Sequence, residues 1–162
     1  MIGSSNYKVF VSHASADVGV AKMLHALVTN AGADCYVDAK DLRGGVIFRE
    51  ELAKHIRSSN EMVVLLSPKF ENSKWLDYEV GIAVGAGKLI VPLLFDLPRA
   101  RISDFDFLRH LHAIHIDDHE VYLSDLKHRI RDGRLNKGVE FILSTRNNIE
   151  RAFGPKRSGS DE

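Results

Sequence analysis

The sequence has one cysteine, Cys35, so it cannot form an intrachain disulfide. Without staples the fold must rest on a hydrophobic core, and a lone thiol in an apolar run suits a reducing, cytoplasmic setting. Charge of one sign is missing too: 22 Lys and Arg balance 22 Asp and Glu, for a formal net charge of zero. That balance provides no broad field to draw nucleic acid or an anionic membrane, and neither is expected as a partner. No apolar run approaches the roughly 18 residues of a membrane span. The start, MIGSSNYKVF, lacks a basic segment followed by a long apolar one, so neither an anchor nor a signal peptide is expected.

What is present fits one globular domain: 162 residues, 44% hydrophobic and 27% charged. Tyr7 to Ser12 reads as a first strand, and in the polar HASAD that follows either Ser15 or Asp17 can cap the next helix. Ala21, Leu24, Leu27, Val28 and Ala31 recur at three and four residues, one apolar stripe that Gly32 can stop. Cys35 to Val37 begins a short second strand. The loop Asp38 to Gly45 (DAKDLRGG) is rich in turn residues, and Phe48, Leu52 and Ile56 then mark a second helix.

Met62 to Leu66 is an uninterrupted apolar run closed by Ser67-Pro68, as in a strand buried on both faces. A helical segment follows with Trp75 and Glu79 four residues apart. Lys88 to Phe95 is a fourth strand in which Pro92 removes a ladder donor and implies a bulge or a nearby edge. Ala113 to Ile116 is a short fifth strand, Tyr122, Leu126 and Ile130 repeat at helical spacing, and Val139 to Phe153 suggests a last helix. One domain is expected over 7–153, between a flexible 1–6 and a disordered tail at 154–162.

Strands alternating with helices imply right-handed crossovers and a parallel sheet covered on both faces. The expected class is α/β, a three-layer flavodoxin-like fold with five strands in the order 2-1-3-4-5. Ligands of such sheets bind at the carboxyl ends of the strands where the order reverses, here between the first and third. That places Ser12, His13 and the segment from Ser67 to Glu79 along one cleft, with the Asp38 to Gly45 loop, which includes Arg43, beside it as a lid.

Two accounts of the Trp75 and Glu79 pair remain open on the residues alone. Glu79 could grip ribose hydroxyls and stabilise positive charge at an anomeric carbon while Trp75 stacks a flat heterocycle. Equally, Trp75 could pack on a strand and Glu79 lie on a solvated helix face. Other chemistries fit less well. A receiver-type phosphoacceptor needs an aspartate where this chain has Ser67, and Gly81, Gly85 and Gly87 are in the wrong order for a dinucleotide fingerprint. His110, His112, His115 and His119 crowd one segment without a recognised ligand spacing, so no metal is expected. Arg43 could meet a phosphate or stand as an exposed loop charge.

In combination and in order, YKVFVSHASAD, the DLRGG loop before IFREEL, SPKFENSKWLDYEVG and KLIVPLLFD resemble the Toll/interleukin-1 receptor (TIR) domain family, its bacterial NAD-cleaving members most of all. The similarity covers roughly Tyr7 to Ile130. It implies the flavodoxin-like fold, with NAD+ as substrate and no cofactor, and cleavage of the nicotinamide-ribose bond to ADP-ribose or a cyclised form. By motif, Glu79 matches the catalytic glutamate and Trp75 its neighbouring aromatic, while Ser12, His13 and the loop with Asp38 and Arg43 fall in segments that border the nucleotide; Ser67 joins these substrate contacts by its place in the cleft. The resemblance also implies self-association through TIR contacts, a separate sensor or effector partner, and a role in antiphage signalling. A non-catalytic interaction module is the alternative.

Overall fold

The computed structural model describes residues 7–37, 46–70, 74–105 and 108–133, with 46–48 described by backbone alone. The loop Asp38 to Gly45, with the candidates Asp38 and Arg43, lies outside the described residues, as do segment 1–6, the expected helix near Val139 to Phe153 and the tail. The chain divides into two compact units, Met1–Ile130 and Arg131–Glu162, and the sheet belongs to the first.

Five strands, β1 (Lys8–Ser12), β2 (Asp34–Val37), β3 (Glu61–Leu66), β4 (Leu89–Leu94) and β5 (Ile114–His115), form one sheet in the order β2-β1-β3-β4-β5. Every pairing is parallel, so the expected architecture holds. Helices α1 (Val18–Asn30), α2 (Val46–Ser58) and α3 (Lys74–Gly85) connect the strands, and residues 119–133 form α4.

The two-residue alternation of strand side chains builds a core on each face. Phe10, Met62, Val64 and Leu66 pack with Leu52 and Ile56 of α2 and with Leu76, Val80 and Ala83 of α3. Val9, Val11, Val63 and Leu65 point the other way, onto Ala21, Leu24 and Val28 of α1 and Tyr122, Leu126 and Ile130 of α4. All six β3 residues are buried, and the five from Met62 to Leu66 accordingly read as a continuous apolar run. Gly32 ends α1 with φ of 101°, a left-handed conformation that lets its N–H and that of Ala33 return to Thr29 and Val28.

Pro92 sits in unbroken register opposite Val64, without a bulge. It is tolerated because β5 pairs only with Leu93 and Leu94, so at Pro92 the outer side of β4 is in effect an edge. The stretch from Asp96 to His112, unassigned from sequence, contains a 3-10 helix at Arg99–Asp104.

Glu61, the first residue of β3, is wholly buried yet fully engaged at the amino end of the sheet. It accepts hydrogen bonds from the hydroxyls of Tyr7 and Tyr122, each at 2.7 Å, and a fork from Arg129 at 2.7 and 3.2 Å. Burial and then Glu61 itself push both tyrosines well above their ordinary range. Burial lowers Arg129, but the Glu61 hydrogen bond and charge outweigh it and leave the guanidinium raised. The cluster ties α4 to the sheet and leaves the carboxyl end of β3 for other work.

Candidate active site

At the carboxyl ends of β1 and β3 the chain brings together two hydroxyl-carboxylate pairs, and strand alternation explains both. Ser12 ends β1 and shares the parity of Phe10, so its side chain faces the α3 layer. There its Oγ donates to Oε2 of Glu79. Ser67 follows Leu66 and has the opposite parity, towards α1, where its Oγ donates to Oδ2 of Asp17. Lys69 N–H in turn donates to Ser67 Oγ at 3.1 Å, fixing the turn at Pro68–Phe70 that leads towards α3.

Glu79 lies in the buried stripe of α3, between Leu76 and Val80, and has 0% exposure. It is therefore not a solvated helix face. A carboxylate taken out of water to this extent is retained only where donors meet it, and Ser12, also 0% exposed, is one. His13 is 2% exposed and its Nδ1–H donates to the carbonyl of Ala14 at 2.7 Å, which folds the ring back on its own loop.

Trp75 is half-buried against the α2/α3 core and meets Tyr78 at 5.8 Å between ring centroids, tilted by 35°. Arg49 stands over the far ring of that pair, 5.9 Å from the Tyr78 centroid. An open groove of about 680 Å³ runs along a neighbouring face of α3, lined by Arg57, Asp77, Tyr78, Gly81, Ile82, Gly85 and Ala86. Glu79 is not among its walls.

Asp17 is the site residue that sequence reasoning did not find. It occupies the position before α1 and was expected, with Ser15, only as a cap, but its side chain makes no capping bond. The carboxylate instead serves Ser67, 50 residues away, a pairing that no local spacing could reveal. Among the described residues no group of three His, Cys, Asp or Glu side chains is placed to hold a metal ion. His115 pairs with Asp117 at 3.3 Å and His119 donates to Ile116 O at 3.0 Å, each in its own turn. No described helix is long and apolar enough to cross a membrane.

Sheet order and buried polar pairs at the switch point define a flavodoxin-like α/β domain whose strand ends carry its polar chemistry. The chain belongs to the TIR domain family, whose model matches residues 9–129. It is 28% identical over 149 residues to a probable 2′ cyclic ADP-D-ribose synthase of Brachypodium distachyon, covering 88% of this chain and 63% of that one. It is 31% identical over 109 residues to a probable 2′ cyclic ADP-D-ribose synthase of Methanobrevibacter olleyae, covering 65% and 32%. The chain thus spans less than two thirds of the length of either relative. Among solved structures, the TIR domain of a Toll-related receptor from Hydra magnipapillata matches with a TM-score of 0.58 at 26% identity, over 77% of this chain and 98% of that one.

Proposed function

We propose that this chain cleaves NAD+ at the nicotinamide-ribose bond, with Glu79 as the catalytic carboxylate. The observation that carries the reading is a glutamate buried at the switch point and held by Ser12, in a TIR domain similar to proteins named as cyclic ADP-ribose synthases. Such a synthase needs an ADP-ribosyl unit bearing a leaving group at its anomeric carbon, and NAD+ is that molecule.

The bond between C1′ and the pyridinium nitrogen breaks, and its electron pair goes to the nitrogen, releasing neutral nicotinamide. Positive charge then develops across C1′ and the ring oxygen. A carboxylate in a site shielded from water stabilises that charge far more than it would in bulk solvent. Water capturing C1′ and losing a proton gives ADP-ribose, whereas capture by a nucleophile of the same ADP-ribosyl unit gives a cyclic product. The leaving group already carries positive charge, so the chemistry takes no metal or prosthetic group.

The exposed part of Trp75 stacks a flat ring of the substrate, and Asp38, Arg43, His13 and Ser67 belong to segments that border it. Because Glu79 is wholly buried, turnover requires movement that opens it. Self-association of TIR domains supplies that change in this reading, with a separate sensor as trigger, in cytoplasmic antiphage signalling.

The fold match to a receptor's TIR domain favours one rival, an interaction module without catalysis. Incubating the protein with NAD+ over a range of protein concentrations, and separating the products by chromatography, decides between them. Nicotinamide in amounts equal to ADP-ribose plus cyclic products supports the enzyme. No release at any concentration, with assembly verified, leaves the interaction module.

A further inference from the structure

Ser12 is held in place at the site by its strand. Its backbone is locked at the end of β1, in register opposite Val64 of β3, and strand parity aims its side chain at α3. Its hydroxyl is 0% exposed and already donates to Glu79 Oε2, so its one proton is committed to the carboxylate. Glu79, by contrast, reaches the site on a side chain with three rotatable bonds. A carboxylate that must meet an anomeric carbon needs its plane set to within a fraction of an ångström. Of the two groups, only the serine is fixed directly by the sheet.

We propose that Ser12 is a positioning residue for Glu79: its hydroxyl sets the carboxylate's rotamer and holds it ionised, instead of contacting substrate. This rests on the reading of Glu79 as the catalytic carboxylate. A donor to the charged form favours that form, so removing the hydroxyl makes the buried carboxylate easier to protonate as well as freer to turn.

The test compares wild type with Ser12→Ala and with Ser12→Thr, which keeps a hydroxyl on a β-branched side chain suited to a strand. Steady-state NAD+ cleavage is measured against pH, thermal unfolding alongside, and the Glu79 carboxylate titration is followed by 13C NMR, its signal assigned by its loss in Glu79→Gln. Ser12→Ala is expected to lower kcat by about 10- to 100-fold, the value of a hydrogen bond to a charged group, with KM little changed. The acid limb of its pH-rate profile and the Glu79 titration both move to higher pH, while Ser12→Thr stays near wild type. A raised KM with unchanged kcat would make Ser12 a substrate contact and overturn the proposal, as would an unmoved titration. If Ser12→Ala does not fold, Ser12→Cys, a near-isosteric weak donor, replaces it, with the same directions and smaller size. If wild type releases no nicotinamide with assembly verified, the NAD+ reading has failed, and the titration alone still decides whether Ser12 governs Glu79.

Discussion

Arg129 grips Glu61 with a two-bond fork, Nε to Oε2 at 2.7 Å and Nη2 to Oε1 at 3.2 Å, at the opposite end of β3 from Ser67. The guanidinium side chain is 30% exposed, the carboxylate not at all, so the pair is worth more than a surface bridge. Arg129→Met leaves Glu61 buried with two tyrosine hydroxyls and no counter-charge. The expected loss is about 3–5 kcal/mol of stability, read from denaturant unfolding. A change within about 0.5 kcal/mol, ordinary for a surface substitution, would show that the fork does not hold α4 to the sheet.

Stability should fall at alkaline pH. Burial pushes the Cys35 thiol up to about 12 from 9.0, and burial and Glu61 raise Tyr122. Both groups bind their protons more tightly folded than unfolded. The thiol's contribution is therefore fully present below its ordinary value of 9.0 and is lost as pH rises from there through about 12, while that of Tyr122 begins to fall only above its ordinary value of 10.0. Unfolding measured across that window should show the decline, and Cys35→Ala should flatten it. An identical slope in the variant would contradict the thiol's part.

The bond from Ser67 to Asp17 makes a separable prediction. Asp17→Ala removes a buried charged acceptor and leaves the Ser67 hydroxyl without it, at a cost of about 1–3 kcal/mol. Asp17→Asn keeps a carbonyl oxygen that can accept the same bond and should cost less. Thermal unfolding of the two variants checks the order, and equal midpoints would mean that Asp17 acts only through its position before α1.

Most of the fold was legible because burial leaves a periodic mark. Met62 to Leu66 reads as a two-faced strand, and Ala21, Leu24 and Val28 read as one helix face. The site was only partly legible. Glu79 invites a surface reading, since most helix glutamates are solvated, although the stripe Leu76, Val80 and Ala83 runs through its position and marks it as inward. Glu61 looks like a polar strand boundary; its partners Tyr7, Tyr122 and Arg129 are more than 50 residues away, and only the folded sheet brings them together. Asp17 was hidden for the same reason.

Whether Glu79 is the catalytic carboxylate is decided by the rate of nicotinamide release from NAD+ by Glu79→Gln against wild type, with both shown to fold alike. Glutamine keeps the shape and an acceptor oxygen for Ser12 but loses the charge. The expected result is a fall in kcat of at least about 100-fold, as for removal of a principal electrostatic stabiliser. Equal release by the two proteins would contradict it.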